Sequence, residues 1–272
     1  MTAPTRPILR WHGGKWLLAP WIISHMPAHR VYVEPFGGAA SVLLRKPRTN
    51  LEVWNDLDGE LVALFHLLRT APDNLARLIE ATPFARAEFD VAQSGEPCAD
   101  DVEQVRRLLI RSHMGFSPCG AAFRGGHSKT GFRGRGVRAG TTPPMNWMGM
   151  PAVIASVADR MRGVVIESRP ALELIAAHDS PDTLFYVDPP YLPETRDAGG
   201  DYRHEMTGDD HMALLDVLRA VRGKVILSGY PSPVYDAALA GWNRIEKTTH
   251  ADGARKRTEV IWRSFEQQGT LI

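Results

Sequence analysis

Cysteine is nearly missing from this chain of 272 residues: Cys98 and Cys119 are the two it has, and neither stands at a metal-type spacing. No disulfide framework or zinc site is indicated, and both thiols are expected to be reduced. His113, His127 and His211 are isolated as well, so no metal is expected. No apolar run approaches the length of a membrane-spanning helix, and residues 1–7 lack the apolar core of a signal peptide. The expected location is therefore the cytoplasm, with no membrane partner. Acids are missing from one long window: residues 104–158 hold no Asp or Glu but eight basic residues, although the net charge of the chain is +1. The rest of the chain is correspondingly acid-rich, and such asymmetry points to a region that binds a polyanion.

A hydrophobic content of 44% is ample for a core, in one large α/β domain or two smaller ones. Short apolar runs at 31–33, 51–54, 164–166, 184–187 and 224–228 read as buried strands. Helical patterns at 38–44, 58–68, 151–161, 171–177 and 209–221 lie between them, the last opened by Thr207 as N-cap. Strand and helix alternate as in a doubly wound parallel sheet, and 242–249 with 258–265 add a terminal β-hairpin. Residues 72–150 break the alternation. Helices are predicted at 73–81, 84–93 and 99–112, followed by a glycine-rich stretch at 115–149. This region is expected to be an inserted, mainly helical and loop-rich subdomain that contacts nucleic acid, with 1–71 and 151–272 forming the catalytic domain.

The run Leu184-Phe185-Tyr186-Val187 stops abruptly at Asp188-Pro189-Pro190-Tyr191. In a parallel sheet, ligands sit beyond the carboxyl ends of the strands, which puts Asp188 at the mouth of a site. Two prolines remove two donors and fix two φ angles, so the turn is stiff. A carboxylate, a free carbonyl and an aromatic ring held together suit a planar heterocycle bearing an exocyclic amine, such as adenine. A proline-stiffened loop with no further role is the alternative. Val33-Glu34-Pro35-Phe36-Gly37-Gly38-Ala39-Ala40-Ser41 follows the first strand, as a nucleotide-binding loop or a tight structural turn. Asp56 ends the next strand, placed to accept from a ribose diol or, with Asp58, to cap the following helix. Leu9-Arg10-Trp11-His12-Gly13-Gly14-Lys15 joins an aromatic, two glycines and a cation, the lysine reading equally as a phosphate ligand or a surface charge.

Together these elements resemble the amino-methyltransferases of DNA, and their order resembles the Dam-like, alpha-type adenine N6-methyltransferases. The resemblance implies a Rossmann-like sheet of seven strands with the hairpin at its end. It implies S-adenosylmethionine held by Trp11, Lys15, Glu34, Pro35, Phe36, Gly37, Gly38, Ala39, Asp56 and Asp188. It implies catalysis by Asp188, Pro189, Pro190 and Tyr191 on an adenine flipped out of double-stranded DNA, with a restriction endonuclease as a compatible partner. Two positions depart from the family pattern: Ala40 stands for the second glycine of the cofactor loop, and Pro170 stands where relatives often have Asp. Candidate DNA contacts are Arg124, Lys129, Arg133, Arg135, Arg138, Tyr230, Arg255, Lys256 and Arg257, with ordinary packing as the alternative for Tyr230. Cytosine N4, RNA adenine or a protein amide are alternative substrates, although related enzymes acting on cytosine or protein amides more often carry Ser or Asn at the place of Asp188. A non-catalytic nucleic-acid-binding relative is the alternative of a different class.

Overall fold

A computed structural model describes residues 4–116, 130–134, 136, 140–196, 202–250 and 256–266. Its strands are β1 (Val31–Glu34), β2 (Leu51–Asn55), β3 (Val164–Glu167), β4 (Thr183–Val187), β5 (Lys224–Gly229), β6 (Asn243–His250) and β7 (Lys256–Arg263). They form one sheet in the order β3-β2-β1-β4-β5-β7-β6. The first five pair in parallel, whereas β7 runs antiparallel to both β5 and β6. The doubly wound sheet and its terminal hairpin are thus as the sequence predicts.

The helices are α1 (Ala19–Ser24), α2 (Gly59–Thr70), α3 (Pro72–Ala81), α4 (Arg86–Ala92), α5 (Asp101–Met114), α6 (Pro143–Met148), α7 (Met150–Arg160), α8 (Ala171–Ala177), α9 (Gly208–Ala220) and α10 (Pro233–Ala238). Short polar side chains start several of them: Asp58 accepts from the Glu60 amide, Asp100 from Glu103, and Thr207 forms a reciprocal capping box with Asp210. Side chains alternate across the sheet with period two. Tyr32, Trp54, Leu184, Tyr186 and Ile226 face a core shared with α2, α3, α5 and α7, while Val33, Val53, Phe185, Val187 and Val225 face α8 and α9. The helices of residues 72–114 bury Leu75, Ile79, Phe89, Val105 and Leu109 in the same cluster as Trp54 and Leu64, so they are fastened to one face of the sheet.

The helix expected at 38–44 does not form. Gly38 and Ala40 have φ of 49° and 55°, in the left-handed region, and the segment is a series of turns. Ala40 therefore occupies the backbone conformation for which the family pattern uses glycine, at a cost of roughly 1 kcal/mol.

The acid-free window also looks different once folded. Arg106 pairs with Glu88 and Glu103, Arg107 with Glu103, and Arg111 with Glu60, so three of the eight positive charges are neutralised by acids outside the window. Among the described residues, no helix is long and apolar enough to cross a membrane, and no group of three or more His, Cys, Asp or Glu is arranged to hold a metal ion.

Candidate active site

Strand order reverses between β1 and β4, and the crevice beyond their carboxyl ends is where such sheets bind ligands. A cavity of about 580 Å³ opens there, within the usual range for small-molecule sites. Every position the sequence marks for the cofactor borders it: Trp11, Lys15, Glu34 to Ala39, Asp56 and Asp188.

The turn after β1 is fixed by the end of β2. Gly37 donates its amide to the Asn55 carbonyl at 2.7 Å, and Asn55 Nδ2 donates to the Pro35 carbonyl at 2.8 Å. Asp56 accepts from the Gly38 amide at 2.8 Å through Oδ2 and from the Asp58 amide at 2.9 Å through Oδ1. Its carboxylate is thus held rigidly against the glycine turn, with lone pairs left for a ligand hydroxyl. Burial raises its pKa above the ordinary value, against the opposing pull of those two amides. Asp58 is the residue that caps α2.

Glu34, at the end of β1, accepts from the Tyr32 hydroxyl at 2.7 Å and the Leu43 amide at 2.8 Å, both through Oε1. Burial pushes its pKa up to about 8 despite these donors. Between its unfolded value near 4.5 and about 8, the folded chain keeps a proton that the unfolded chain releases, so this group makes stability fall as pH rises through that window. Glu34→Gln is expected to remove a slope of at most about 1.4 kcal/mol per pH unit. Urea unfolding of both proteins at pH 6 and pH 8 checks this, and equal changes in the two would refute it.

Asp188 stands at the end of β4 with both oxygens engaged. Ser228 Oγ, from β5, donates to Oδ1 at 2.9 Å, and Lys15 Nζ lies 3.0 Å from Oδ2. The hydroxyl of Tyr186 lies 3.1 Å from Ser228 Oγ and continues the chain. Lys15 also donates to the Gly13 carbonyl at 2.7 Å and is only 6% exposed. Burial works against its charge, but Asp188 and then Glu259 more than offset that, and its pKa is raised. Lys15 is a buried counter-ion of Asp188, not the surface charge that was one of its two sequence readings.

Tyr191 does not border the cavity. Its ring is 6% exposed, with the Lys15 ammonium 4.8 Å from its centroid on one side and the edge of Tyr230 at 4.6 Å. Its hydroxyl donates to Glu259 Oε2 on β7 at 3.0 Å, and Arg257 donates to the Tyr230 hydroxyl at 2.7 Å. The ring is positioned by three groups from three parts of the chain, Lys15, Tyr230 and Glu259. Tyr191→Phe and Glu259→Ala are each expected to cost about 1–3 kcal/mol, because each leaves a buried partner unsatisfied or a gap. Their effects should be non-additive by about 1 kcal/mol in a double-mutant cycle, and strict additivity would show that the pair is not coupled.

Of the other candidate DNA contacts, Arg133 lies beside the end of α5, where its amide donates to the Met114 carbonyl. Lys256 opens β7. Arg124, Lys129, Arg135, Arg138 and Arg255 lie outside the described residues. Tyr202, Arg203, His204 and Met206 line the cavity without any sequence signal, and Pro170, Ala171 and Leu172 line it beyond the end of β3. Ser228, which holds Asp188, ends the apolar run at 224–228, and its place at a strand end was the available clue.

Residues 11–117 match the family model described as D12 class N6 adenine-specific DNA methyltransferase. Over that stretch, less than half of its length, the chain is similar to the Dam-like enzymes of that family. The matched stretch holds Trp11, Lys15, the glycine turn and Asp56, whereas Asp188, Pro189 and Pro190 lie beyond it and reach the same cavity through the sheet. Curated relatives include the DNA adenine methylase of Vibrio cholerae serotype O1, 41% identical over 69 residues, which are 25% of this chain and 24% of the relative. The DNA adenine methylase of Salmonella typhi is 25% identical over 117 residues, or 41% of this chain and 42% of the relative. That of Escherichia coli strain K12 is 29% identical over 111 residues, or 41% and 36%. The chain thus matches between about a quarter and two-fifths of the length of these relatives.

Proposed function

We propose that this chain transfers a methyl group from S-adenosylmethionine to the N6 amine of an adenine flipped out of double-stranded DNA in the cytoplasm. One observation carries the reading: a fixed carboxylate, Asp188, and a glycine turn braced by Asp56 line one cavity. The cavity fits the donor. Gly38 lets the turn approach the Trp11 indole at the cavity wall, Asp56 offers acceptor lone pairs suited to a ribose diol, and Glu34 borders the same cavity. When bound, S-adenosylmethionine supplies an electrophilic methyl group on a sulfonium.

Flipping costs a few kcal/mol and gives access to the amine edge. Asp188 and the Pro189 carbonyl accept the two N–H groups, which turns the nitrogen lone pair out of the ring plane and towards the methyl. The carboxylate also stabilises positive charge developing on that nitrogen. Ser228 and Lys15 prevent Asp188 from rotating. Tyr191 and Tyr230 provide the aromatic side of the base site, and Lys15 must yield part of the Tyr191 face for a base to stack on it. Residues 72–150 carry target recognition, with phosphate contacts from that region and from the turn before β7. An acid at position 188 favours adenine over cytosine. A restriction endonuclease reading the same site is the fitting partner.

The test is transfer of labelled methyl from S-adenosylmethionine to unmethylated genomic DNA, followed by nucleoside chromatography. Label in N6-methyladenine is the expected outcome. Label in N4-methylcytosine would move the substrate, and no label in any base would overturn the reading.

A further inference from the structure

Glu60 lies outside the cavity and has no part in the chemistry above, yet its carboxylate joins two distant pieces of chain. It sits in the first turn of α2, immediately after the Asp56–Asp58 corner. Oε1 accepts from Arg111 Nη2 at 2.6 Å, and Arg111 belongs to the last turn of α5. Oε2 accepts from Arg203 Nη2 at 3.1 Å, while Arg203 Nη1 donates to Asp58 Oδ1 at 2.9 Å. Arg203 and its neighbours Tyr202 and His204 form one wall of the cavity.

The end of α5 is tied to the Trp11 side of the cavity too. Arg10, next to Trp11, donates to the carbonyls of Gly115 at 2.8 Å and Phe116 at 2.9 Å. Arg133, one of the candidate DNA contacts, donates its amide to the Met114 carbonyl at the end of α5. A load placed on Arg133 by DNA therefore reaches both parts of the cavity lining through α5, and through Glu60 it reaches the 202–204 wall by two charge-assisted contacts. Partly buried charge pairs of this kind are geometrically demanding, because each loses much of its value when one partner shifts.

Resting on the proposed function, we propose that Glu60 is a positioning residue that couples DNA binding to cofactor binding. DNA on the recognition region fixes α5 and Arg111, Arg111 fixes Glu60, and Glu60 holds Arg203 and its segment against the cofactor. Ordering achieved by one ligand is then spared for the other, which makes the coupling positive and reciprocal.

The test uses S-adenosylhomocysteine as the probe, titrated calorimetrically into the full chain with and without a short duplex that the methyl-transfer assay labels. The duplex is expected to tighten binding about tenfold in the parent protein, within the usual range of coupling between sites. In Glu60→Gln and in Arg111→Gln the tightening should shrink to less than about twofold, with affinity in the absence of DNA changed by less than about twofold. A merely structural role would weaken binding equally with and without the duplex. If Glu60→Gln does not fold, Arg111→Gln decides alone. Tightening that persists in the folded variants, or is missing in the parent protein while both ligands bind, overturns the coupling and leaves the proposed function standing. A parent protein that binds neither ligand and labels no duplex removes the proposed function and the coupling together.

Discussion

Asp188→Ala should lower methyl transfer by about 10³-fold or more, since it deletes the group proposed to orient the amine and to meet the charge developing on nitrogen. The substitution has a second effect, because it strips Lys15 of its partner inside the protein. Breaking a buried pair typically costs about 3–5 kcal/mol. The Gly13 carbonyl and the charge of Glu259 remain for Lys15, so the loss here should be at the low end of that range. Activity and stability are separated by the double variant Asp188→Ala/Lys15→Met, which should recover much of the stability and none of the activity. Single-turnover methylation and urea unfolding measure the two. Activity retained in Asp188→Ala would remove the carboxylate from the mechanism. Stability that does not recover in the double variant would show that the ion pair was not the source of the loss.

A comparably large effect on folding is expected for Gly37→Ala. A Cβ on Gly37 would fall inside van der Waals contact with Nε1, Cδ1 and Cε2 of Trp54, the last at 2.8 Å. Trp54 cannot retreat, because it is fully buried and Phe65 packs behind it with ring centroids 4.5 Å apart. The backbone of Gly37 is held by its bond to Asn55 as well. Overpacking of this kind costs about 1–3 kcal/mol and sometimes more, and here both sides of the clash are fixed, which puts the expected loss at about 3 kcal/mol. Gly59→Ala is the matched control: nothing lies within 4 Å of its added Cβ and it opens a helix, so it should be neutral or stabilising by a few tenths of a kcal/mol. Thermal melts of the pair settle it, and a Gly37→Ala protein melting with the parent would show that the turn can shift.

Much of the sheet was legible because its strands are short, apolar and bounded by turn residues, and because the side-chain period of two leaves no choice of face. The site was legible where function needs a stiff backbone: two prolines after Asp188, glycines after Glu34. Where a residue works through a distant partner, the linear sequence is silent. The acid-free window begins one residue after Glu103, the very acid that engages Arg106 and Arg107, so counting charge along the chain overstated the positive surface. The 202–206 wall has neither period nor motif, and only the fold brings it over the cavity. The helix predicted at 38–44 fails for a local reason, since apolar spacing does not report that Gly38 and Ala40 turn left-handed.

The indole of Trp11 borders the cavity and lies against Gly38, where a Cβ would stand 3.3 Å from its Nε1. An aromatic amphiphile in that position is a built-in optical probe. Its emission should change in colour and intensity as the cavity fills, so occupancy can be followed in real time on unlabelled protein, and loss of the signal in Trp11→Phe would separate it from the other six tryptophans of the chain.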